Sequence, residues 1–254
     1  MTDAEIRDAS TVVLLRDGDV GPEVWLMTRV TGMAFAGGMA VFPGGRVDGA
    51  DAELPFGGGS DEEAARRFEC SPEQARAIVG AAVREVFEET GVLLSVPTVD
   101  VSGARADVEA GRVSFGDLLR ANGVAVDGAA LHPWSRWVTP AGEVRRYDTR
   151  FFVAAMPDDA QAQDVTTESS SAGWFGVGSV LEAAQRGEIG MLPPTIMTLA
   201  SLSGYGTVAE VLDAAGQRSL KPVRPVVERD AEGGYLAKLP DGTAFAIPSS
   251  LFPK

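Results

Sequence analysis

The chain has few of the side chains that most often bind transition metals or act as nucleophiles. Its 254 residues include one cysteine, Cys70, and one histidine, His132. Cys70 cannot form a disulfide within the chain, and it has no neighbours at metal-ligand spacing. We therefore expect no disulfide framework, interpret Cys70 as a packed bystander, and take a reducing cytoplasm as the simplest setting.

Basic residues are also scarce, since 22 Lys and Arg stand against 36 Asp and Glu and give a net charge of −14. A surface this acidic repels the nucleic-acid backbone and anionic lipid. No apolar run approaches membrane-spanning length, and residues 1–7 are polar and acidic, unlike a signal peptide. We expect a small-molecule partner, no nucleic-acid or membrane partner, and leave a homodimer open.

Strand and helix patterns alternate along the chain. Residues 10–16 and 23–30 are β-branched strand candidates, and 39–42 is a short one that stops at Pro43-Gly44-Gly45. Further strands are predicted at 137–139, 148–155 and 172–177, and helices at 61–68, 114–121, 180–186, 194–202 and 208–215. The tail, residues 223–248, predicts a hairpin turning at Asp241-Gly242.

Residues 71–90 form the strongest helix pattern. Ser71 offers an N-cap hydroxyl, Pro72 suits the first helical position, and Gln74 completes a capping-box pattern. Gly91 is a typical residue type for the C-terminal end. An apolar stripe at helical spacing predicts that one face of this helix packs on the core.

Three glutamates, Glu85, Glu88 and Glu89, stand at positions i, i+3 and i+4 and so share one face of this helix. They repel one another, and the helix dipole disfavours negative charge near the C-terminus. A hard divalent cation would resolve this conflict, since Mg²⁺ prefers oxygen ligands. The alternative interpretation is a solvated acidic face.

The segment from Arg84 to Val92 resembles the second half of the box that defines the Nudix hydrolases. Gly45, followed after five residues by Asp51, resembles the first half, where the family usually has Glu. Residues 52–83 separate the halves, so 32 residues stand where the family has seven. The box therefore carries an insertion of 25 residues.

An interrupted box preceded by Val41-Phe42-Pro43-Gly44-Gly45 resembles the Nudix branch that acts on coenzyme A and acyl-coenzyme A. The likeness continues at residues 137–140, 146–152 and 193–195, and it covers roughly residues 12–202. The signature of that branch has an arginine where this chain has Ala34.

The resemblance implies a role for each matching residue. Glu85 and Glu89 match the metal-binding glutamates, and Glu88 matches a third carboxylate that is a ligand or a base. Arg84 matches the arginine that orients the cluster through a salt bridge, and Gly45 offers a backbone carbonyl to the metal. The implied cofactor is Mg²⁺ or Mn²⁺.

Other candidates come from position and chemistry. Glu168 lies on the approach to a strand and is either an auxiliary catalytic base or a plain loop acid. Guanidinium groups suit phosphates because they bind them in a bidentate manner. The arginines considered for substrate phosphates are Arg29, Arg46, Arg146 and Arg150.

The fold implied by the resemblance is α/β, a Nudix α/β/α sandwich. We expect a catalytic domain at 8–178 with an insertion at about 52–75, and a helical extension at 179–254 that ends in a hairpin. The insertion either forms a wall of the substrate pocket or is a surface excursion.

The favoured function is metal-dependent hydrolysis of coenzyme A or acyl-coenzyme A to 3′,5′-ADP and 4′-phosphopantetheine. The alternatives are a Nudix diphosphatase on ADP-ribose, NADH or another nucleotide conjugate, and a non-catalytic nucleotide sensor.

Overall fold

A mixed α/β fold is confirmed by the computed structural model, which describes residues 4–30, 37–58, 61–163, 169–229 and 234–247. The strands of the central sheet are β1 (Ile6–Gly18), β2 (Gly21–Arg29), β3 (Ala40–Val41), β4 (Gly44–Arg46), β8 (His132–Val138), β9 (Arg146–Ala155) and β10 (Ser169–Gly176). The helices are α1 (Asp61–Phe68), α2 (Pro72–Thr90), α3 (Arg105–Glu109), α4 (Phe115–Ala121), α5 (Val177–Gln185), α6 (Pro193–Leu202) and α7 (Val208–Ala215). One small sheet consists of β5 (Phe56–Gly58), β6 (Ser95–Val96) and β7 (Ala125–Asp127). A second small sheet consists of β11 (Val226–Arg229), β12 (Tyr235–Lys238) and β13 (Ala244–Ile247).

The central sheet has the strand order β10-β2-β1-β9-β8, with β3 paired to β2 and β4 paired to β1. β1 and β9 run parallel, and the other pairings are antiparallel. β1 and β2 separate after Val24, so that β4 takes the place of β2 beside residues 9–11 of β1. This separation places the Gly44-Gly45 backbone at the middle of the sheet, next to α2.

The sheet lies between two hydrophobic cores, as a sandwich requires. Because side chains alternate along a strand, Val12 and Leu14 of β1 pack beneath α2, whereas Val13 and Leu15 pack beneath α5, α6 and α7. The helices after residue 176 therefore form the second layer of the sandwich. The predicted domain boundary at residue 178 falls within α5 and stays a prediction.

The boundaries of α2 follow the expected caps. The hydroxyl of Ser71 accepts a hydrogen bond from the Gln74 N–H, and Gly91 ends the helix with a φ of +75°. The Gln74 side chain differs from the expected capping box. Its Nε2 donates to Oδ2 of Asp8 at 2.6 Å, so this amide joins the start of α2 to β1 instead of capping the helix.

The insertion is part of the hydrophobic core. The sequence had suggested either a wall of the substrate pocket or a surface excursion, and neither interpretation anticipated this packing. The insertion contains β5 and α1, and Phe68 at the end of α1 is fully buried. Arg67 donates to the carbonyl of Ala215 at 2.7 Å, and the carbonyl of Phe68 accepts from Arg136 at 3.0 Å. These bonds join α1 to α7 and β8, so we do not assign α1 to the wall of the site.

The tail forms an antiparallel sheet of three strands, β11, β12 and β13, where a hairpin of two was predicted. The β12–β13 turn contains Asp241 and Gly242, and Gly242 has a φ of +89°. Across the ranges that the structure describes, none of the helices combines the length and the apolar character needed to cross a membrane.

Gly80 lets the chain pass close to α2. A Cβ at this position would lie 2.3 Å from the carbonyl oxygen of Asp51, in the short 3-10 helix Gly49–Glu53. That distance is well inside van der Waals contact, so a side chain would push this 3-10 helix away from α2.

We predict that Gly80→Ala lowers the free energy of unfolding by about 1–3 kcal/mol, although alanine is the better helix former. Gly178→Ala in α5 is the matched control, because a Cβ there has nothing within 4 Å. The control should keep or slightly raise the stability. Urea denaturation of both variants measures the difference, and equal stability in the two would contradict the close approach.

Candidate functional site

The guanidinium of Arg84 pairs with three acids, Asp51, Glu85 and Glu88. Its Nε and Nη2 donate to the two carboxylate oxygens of Asp51 at 2.8 and 3.0 Å. Its Nη1 donates to Glu85 at 2.8 Å and to Glu88 at 3.3 Å. Bidentate pairing with Asp51 fixes the plane of the guanidinium, and this plane then sets the positions of two α2 glutamates.

Asp51 is brought to Arg84 by the 3-10 helix Gly49–Glu53. One Asp51 oxygen also accepts from the backbone N–H of Asp48 at 2.8 Å, so the side chain caps its own helix. Asp51 is only 2% exposed, which leaves little room for a longer side chain. The structure therefore gives Asp51 a positioning role, in which it holds Arg84 in place.

The glycines of β4 allow the backbone to approach the glutamates. The N–H of Gly44 donates to Oε2 of Glu89 at 2.8 Å. A Cβ on Gly45 would lie 2.4 Å from Oε1 of Glu85, and one on Gly44 would lie 2.4 Å from the carbonyl oxygen of Ser10. The backbone of Ser10 and Thr11 requires glycine at position 44, whereas Gly45 lies against the flexible end of the Glu85 side chain.

Arg105 supports the C-terminal turn of α2 and was not singled out from the sequence. Its Nη1 donates to the carbonyl of Glu88 at 2.8 Å and to Glu109 at 2.8 Å. The Glu88 carbonyl lies in the last helical turn, and Val92 N–H donates instead to the Thr90 hydroxyl. A basic residue here also opposes the negative end of the helix dipole. No pattern signals Arg105, because it lies 17 residues from its acceptor.

Burial and charge perturb this cluster strongly. Burial raises the pKa of Glu88 to about 7, with Glu85 adding repulsion and Arg84 opposing the shift. Burial would lower the pKa of Arg84, but the hydrogen bonds that Arg84 donates to Asp51 and the charges of Glu85, Asp51 and Glu88 outweigh burial and raise that pKa above its usual range. The arginine is therefore permanently charged, and the cluster has more negative than positive groups.

The oxygen groups in this cluster are of the chemical type that binds a hard divalent cation. Glu85, Glu88 and Glu89 offer carboxylate oxygens, and Gly45, whose Cβ position lies against the Glu85 side chain, has a backbone carbonyl. These are the ligand types that Mg²⁺ and Mn²⁺ prefer. In the part of the chain that the structure describes, no three acidic, His or Cys side chains converge on a single metal position. Glu85 and Glu88 turn toward Arg84, and Glu89 turns toward Gly44.

Arg46 and Arg29 lie on the strands around the cluster. The carbonyl of Arg46 accepts from Arg84 at 3.0 Å, and the Arg46 side chain, which is 52% exposed, pairs with Asp48. Arg29 ends β2 and is half-buried, with its backbone N–H bonded to the carbonyl of Met39. Arg46 therefore stands closest to the cluster among the four arginines considered for phosphate binding.

The placements of Arg146 and Arg150 argue against the phosphate contacts expected of them. Arg150 is 1% exposed and donates to Asp8 and to the carbonyl of Asp148. Arg146 is 8% exposed, bonds the carbonyl of Thr139, and pairs with Ile6 at the start of β1. Both guanidinium groups are enclosed by protein acceptors, so we treat them as structural.

Two further residues from the sequence lie outside the described ranges. Glu168, the candidate auxiliary base, is one, and Ala34, which stands where the coenzyme A signature has an arginine, is the other.

A family model described as the NUDT19 Nudix domain matches residues 60–202, more than half of the chain. The matched region contains Arg84 and the three glutamates of α2. A Caenorhabditis elegans protein, provisionally named nudix hydrolase 7, is 30% identical over 187 residues, which is 71% of this chain and 55% of that protein. The acyl-coenzyme A diphosphatase NUDT19 of Xenopus laevis is 25% identical over 266 residues, 86% of this chain and 70% of that protein. The chain thus spans about half the length of the first relative.

A solved structure shares the architecture. The chain is similar to a NUDIX hydrolase from Alicyclobacillus acidocaldarius, with a TM-score of 0.71 and 28% identity, over 86% of this chain and 99% of that one. This similarity extends over both layers of the sandwich, since it covers most of the described residues.

The pKa of Glu88 leads to a prediction about metal-free protein. Its folded-state value, about 7, lies above the ordinary value of 4.5, so the folded form binds this proton more tightly than the unfolded form. That contribution to stability is complete below about 4.5 and is lost as the pH rises through about 7. With chelator present, the melting temperature of Glu88→Gln should exceed that of the wild type. The difference between the two melting temperatures should increase from pH 5 to pH 8, because the wild-type carboxyl loses its proton over this range.

Glu73→Gln is the control, because Glu73 is exposed in the first turn of the same helix. Its margin over the wild type should not change across this pH range. A constant margin for Glu88→Gln would show that the Glu88 carboxyl is not in the buried, charge-crowded position described.

Proposed function

The chain belongs to the NUDT19 Nudix domain family, and on that premise we propose that it is a metal-dependent hydrolase of coenzyme A or acyl-coenzyme A. The diphosphate bridge would be split to give 3′,5′-ADP and 4′-phosphopantetheine or its acyl form. The observation that carries this proposal is the Arg84 cluster, in which Asp51 fixes an arginine that positions Glu85 and Glu88. The relatives named as acyl-coenzyme A diphosphatases support the choice of substrate.

In this proposal Glu85 and Glu89 hold Mg²⁺ or Mn²⁺ together with the Gly45 carbonyl. A bound divalent ion supplies neutralisation of diphosphate charge and makes water a stronger acid. Arg84 keeps Glu85 and Glu88 on the side of α2 that faces β4, and Gly44 keeps Glu89 there. These contacts keep the three glutamates near β4, and their carboxylates would turn from Arg84 and Gly44 toward a bound ion.

Glu88 has two candidate roles, a third ligand or the group that accepts the proton of the attacking water. Its carboxylate lies in the same cluster, 23% exposed, so it can reach both protein and solvent. The two roles separate in kinetics. Loss of a ligand weakens the apparent affinity for the metal, whereas loss of a base lowers kcat at saturating metal.

Arg46 is the arginine that we propose for a substrate phosphate. It lies on β4 directly after Gly45, and its side chain is exposed while its carbonyl is fixed by Arg84. With Arg7 it lines a shallow cavity of about 450 Å³ beside the cluster. A guanidinium there can bind a phosphate in a bidentate manner as the diphosphate approaches the glutamates.

The first alternative is a Nudix diphosphatase on ADP-ribose, NADH or another nucleotide conjugate, since the cluster acts on the diphosphate common to all of them. A nucleotide sensor without catalysis is the second alternative. The ordered glutamates favour an enzyme, because nucleotide binding alone would be weakened by buried carboxylates next to a phosphate.

We predict that Glu85→Gln, Glu88→Gln and Glu89→Gln each lower kcat/KM for coenzyme A by about a hundredfold or more, as expected when a reacting carboxylate or metal ligand is lost. Glu73→Gln, on the same helix and exposed, is the matched control and should keep wild-type rates. The assay follows 3′,5′-ADP by chromatography with Mg²⁺, Mn²⁺ or chelator, beside ADP-ribose and NADH.

Faster cleavage of ADP-ribose or NADH than of coenzyme A would select the first alternative. A purified protein that binds nucleotides yet cleaves none of these substrates with either metal would select the sensor. Wild-type rates in all three variants would remove the α2 cluster from the reaction.

Arg105 gives a prediction about positioning. Arg105→Met should lower kcat by about tenfold, or 1.4 kcal/mol, because the last turn of α2 loses the group that holds the Glu88 carbonyl. KM should change little, since Arg105 does not touch substrate in this arrangement. Glu109→Gln removes the other Arg105 partner but keeps the bond to α2, so it is the matched control. Equal losses in both variants, or a loss confined to KM, would contradict the assignment.

A further inference from the structure

A cavity outside the acidic cluster lies between β10 and the segment that follows β9. It has a volume of about 480 Å³, which is within the range of small-molecule sites, ~300–1,000 Å³. Its lining includes Arg16, Trp174, Met156, Asp158, Ala160 and Gln161. The roles proposed for the acidic cluster use none of these side chains.

One wall of this cavity is a guanidinium stacked on an indole. Cζ of Arg16 lies 4.5 Å from the centroid of the Trp174 ring. Nε of Arg16 donates to Glu23 at 2.7 Å, and Trp25 meets Trp174 edge-on with 5.5 Å between the ring centroids. Both planar groups are thus held by neighbours outside the cavity. A fixed aromatic ring beside a guanidinium is a surface on which a nucleobase stacks well.

The facing wall combines an apolar floor with polar groups at the rim. Met156 and Ala160 are partly buried and pack on the core beneath α2. Asp158 and Gln161 are exposed, and they offer an acceptor and an amide that both donates and accepts. This combination matches the exocyclic amine and the ring nitrogens of adenine. A pantetheine arm or acyl chain has no planar face for the Arg16–Trp174 pair.

The segment that lines this cavity is bonded to the ends of β1 and α2. The N–H of Met156 donates to the carbonyl of Leu15 at 2.7 Å, which continues the sheet into the cavity wall. Further along the same segment, the N–H of Gln163 donates to the carbonyl of Thr90 at 3.0 Å. Thr90 directly follows Glu89, so a ligand bound here can extend from the cavity toward the last turn of α2.

We propose that this cavity binds the adenine base of the substrate, stacked on the Arg16–Trp174 pair, while the diphosphate lies at the α2 glutamates. The proposal rests on the proposed function, because it assumes an adenine nucleotide with a diphosphate bridge. It assigns Arg16 and Trp174 as specificity residues for the nucleotide half, leaving the pantetheine half on the other side of the glutamates.

The test is calorimetric titration of the full chain, in chelator, with 3′,5′-ADP and separately with 4′-phosphopantetheine. Trp174→Leu should weaken 3′,5′-ADP binding at least tenfold, the range expected for loss of a base–aromatic stack. Trp174→Phe retains a ring and should stay within about threefold of the wild type. Binding of 4′-phosphopantetheine should be unchanged in both.

Arg16→Gln should also weaken 3′,5′-ADP binding, and one control separates this effect from general damage. Arg218→Gln is matched, because Arg218 stacks on Trp134 at 4.1 Å in the other core. This control should bind 3′,5′-ADP within about threefold of the wild type.

If Trp174→Leu does not fold, Asp158→Ala and Gln161→Ala decide, because these exposed rim residues carry little of the core; each should weaken 3′,5′-ADP several-fold. Unchanged 3′,5′-ADP affinity in the cavity variants, or weakened 4′-phosphopantetheine instead, overturns the proposal. A chain that cleaves no diphosphate but loses 3′,5′-ADP binding in Trp174→Leu would refute the proposed function and keep the cavity assignment. Cleavage of coenzyme A with a wild-type KM in every variant would support the proposed function and refute the cavity assignment.

Discussion

The guanidinium of Arg84 joins three parts of the chain that lie far apart in sequence. It binds Asp51 of the 3-10 helix, Glu85 and Glu88 of α2, and the carbonyl of Arg46 on β4. At 13% exposure the side chain is poorly hydrated, so its charge requires these acceptors. Removal of the Asp51 carboxylate, which accepts from both Nε and Nη2, would leave this buried charge partly unpaired, which commonly costs about 3–5 kcal/mol. The positions of β4, the 3-10 helix and the end of α2 therefore depend on each other.

The same cluster is a local weakness that the fold offsets from two sides. Three carboxylates near a helix C-terminus repel one another and oppose the dipole. Arg84 neutralises part of this charge from the β4 side, and Arg105 of α3 supports the Glu88 carbonyl from the other side. Burial, with repulsion from Glu85 added to it, raises the pKa of Glu88. Local sequence preferences conflict most where function is expected, and here long-range contacts hold the conflict in place.

Much of the site could be predicted because its signals are local. The glutamates, Arg84 and the cap residues of α2 lie within one helix, where a spacing of three or four residues fixes a common face. The sequence did not indicate Arg105, the Arg16–Trp174 pair or the burial of Arg150, because each depends on contacts between segments distant in the chain. The insertion was misjudged for a related reason. The helix at residues 61–68 was predicted and is present, but its short pattern did not reveal that Phe68 is buried in the core, because tertiary packing decides that burial.

The insertion interrupts the box in sequence without separating its halves in space, and the contacts explain why. Asp51, the last residue before the insertion, is held by Arg84 and by its own 3-10 helix. Gly80 allows that helix to lie against α2, where a Cβ would meet the Asp51 carbonyl at 2.3 Å. Both ends of the insertion are therefore fixed by contacts that do not involve it. Closing a longer loop between fixed ends costs only about 0.6 kcal/mol for each doubling of its length. Phe68 packs beneath β9, with 5.6 Å between the Phe68 and Phe152 ring centroids, and this packing more than offsets the cost of loop closure. The interrupted box can therefore hold the same cluster that a continuous box would.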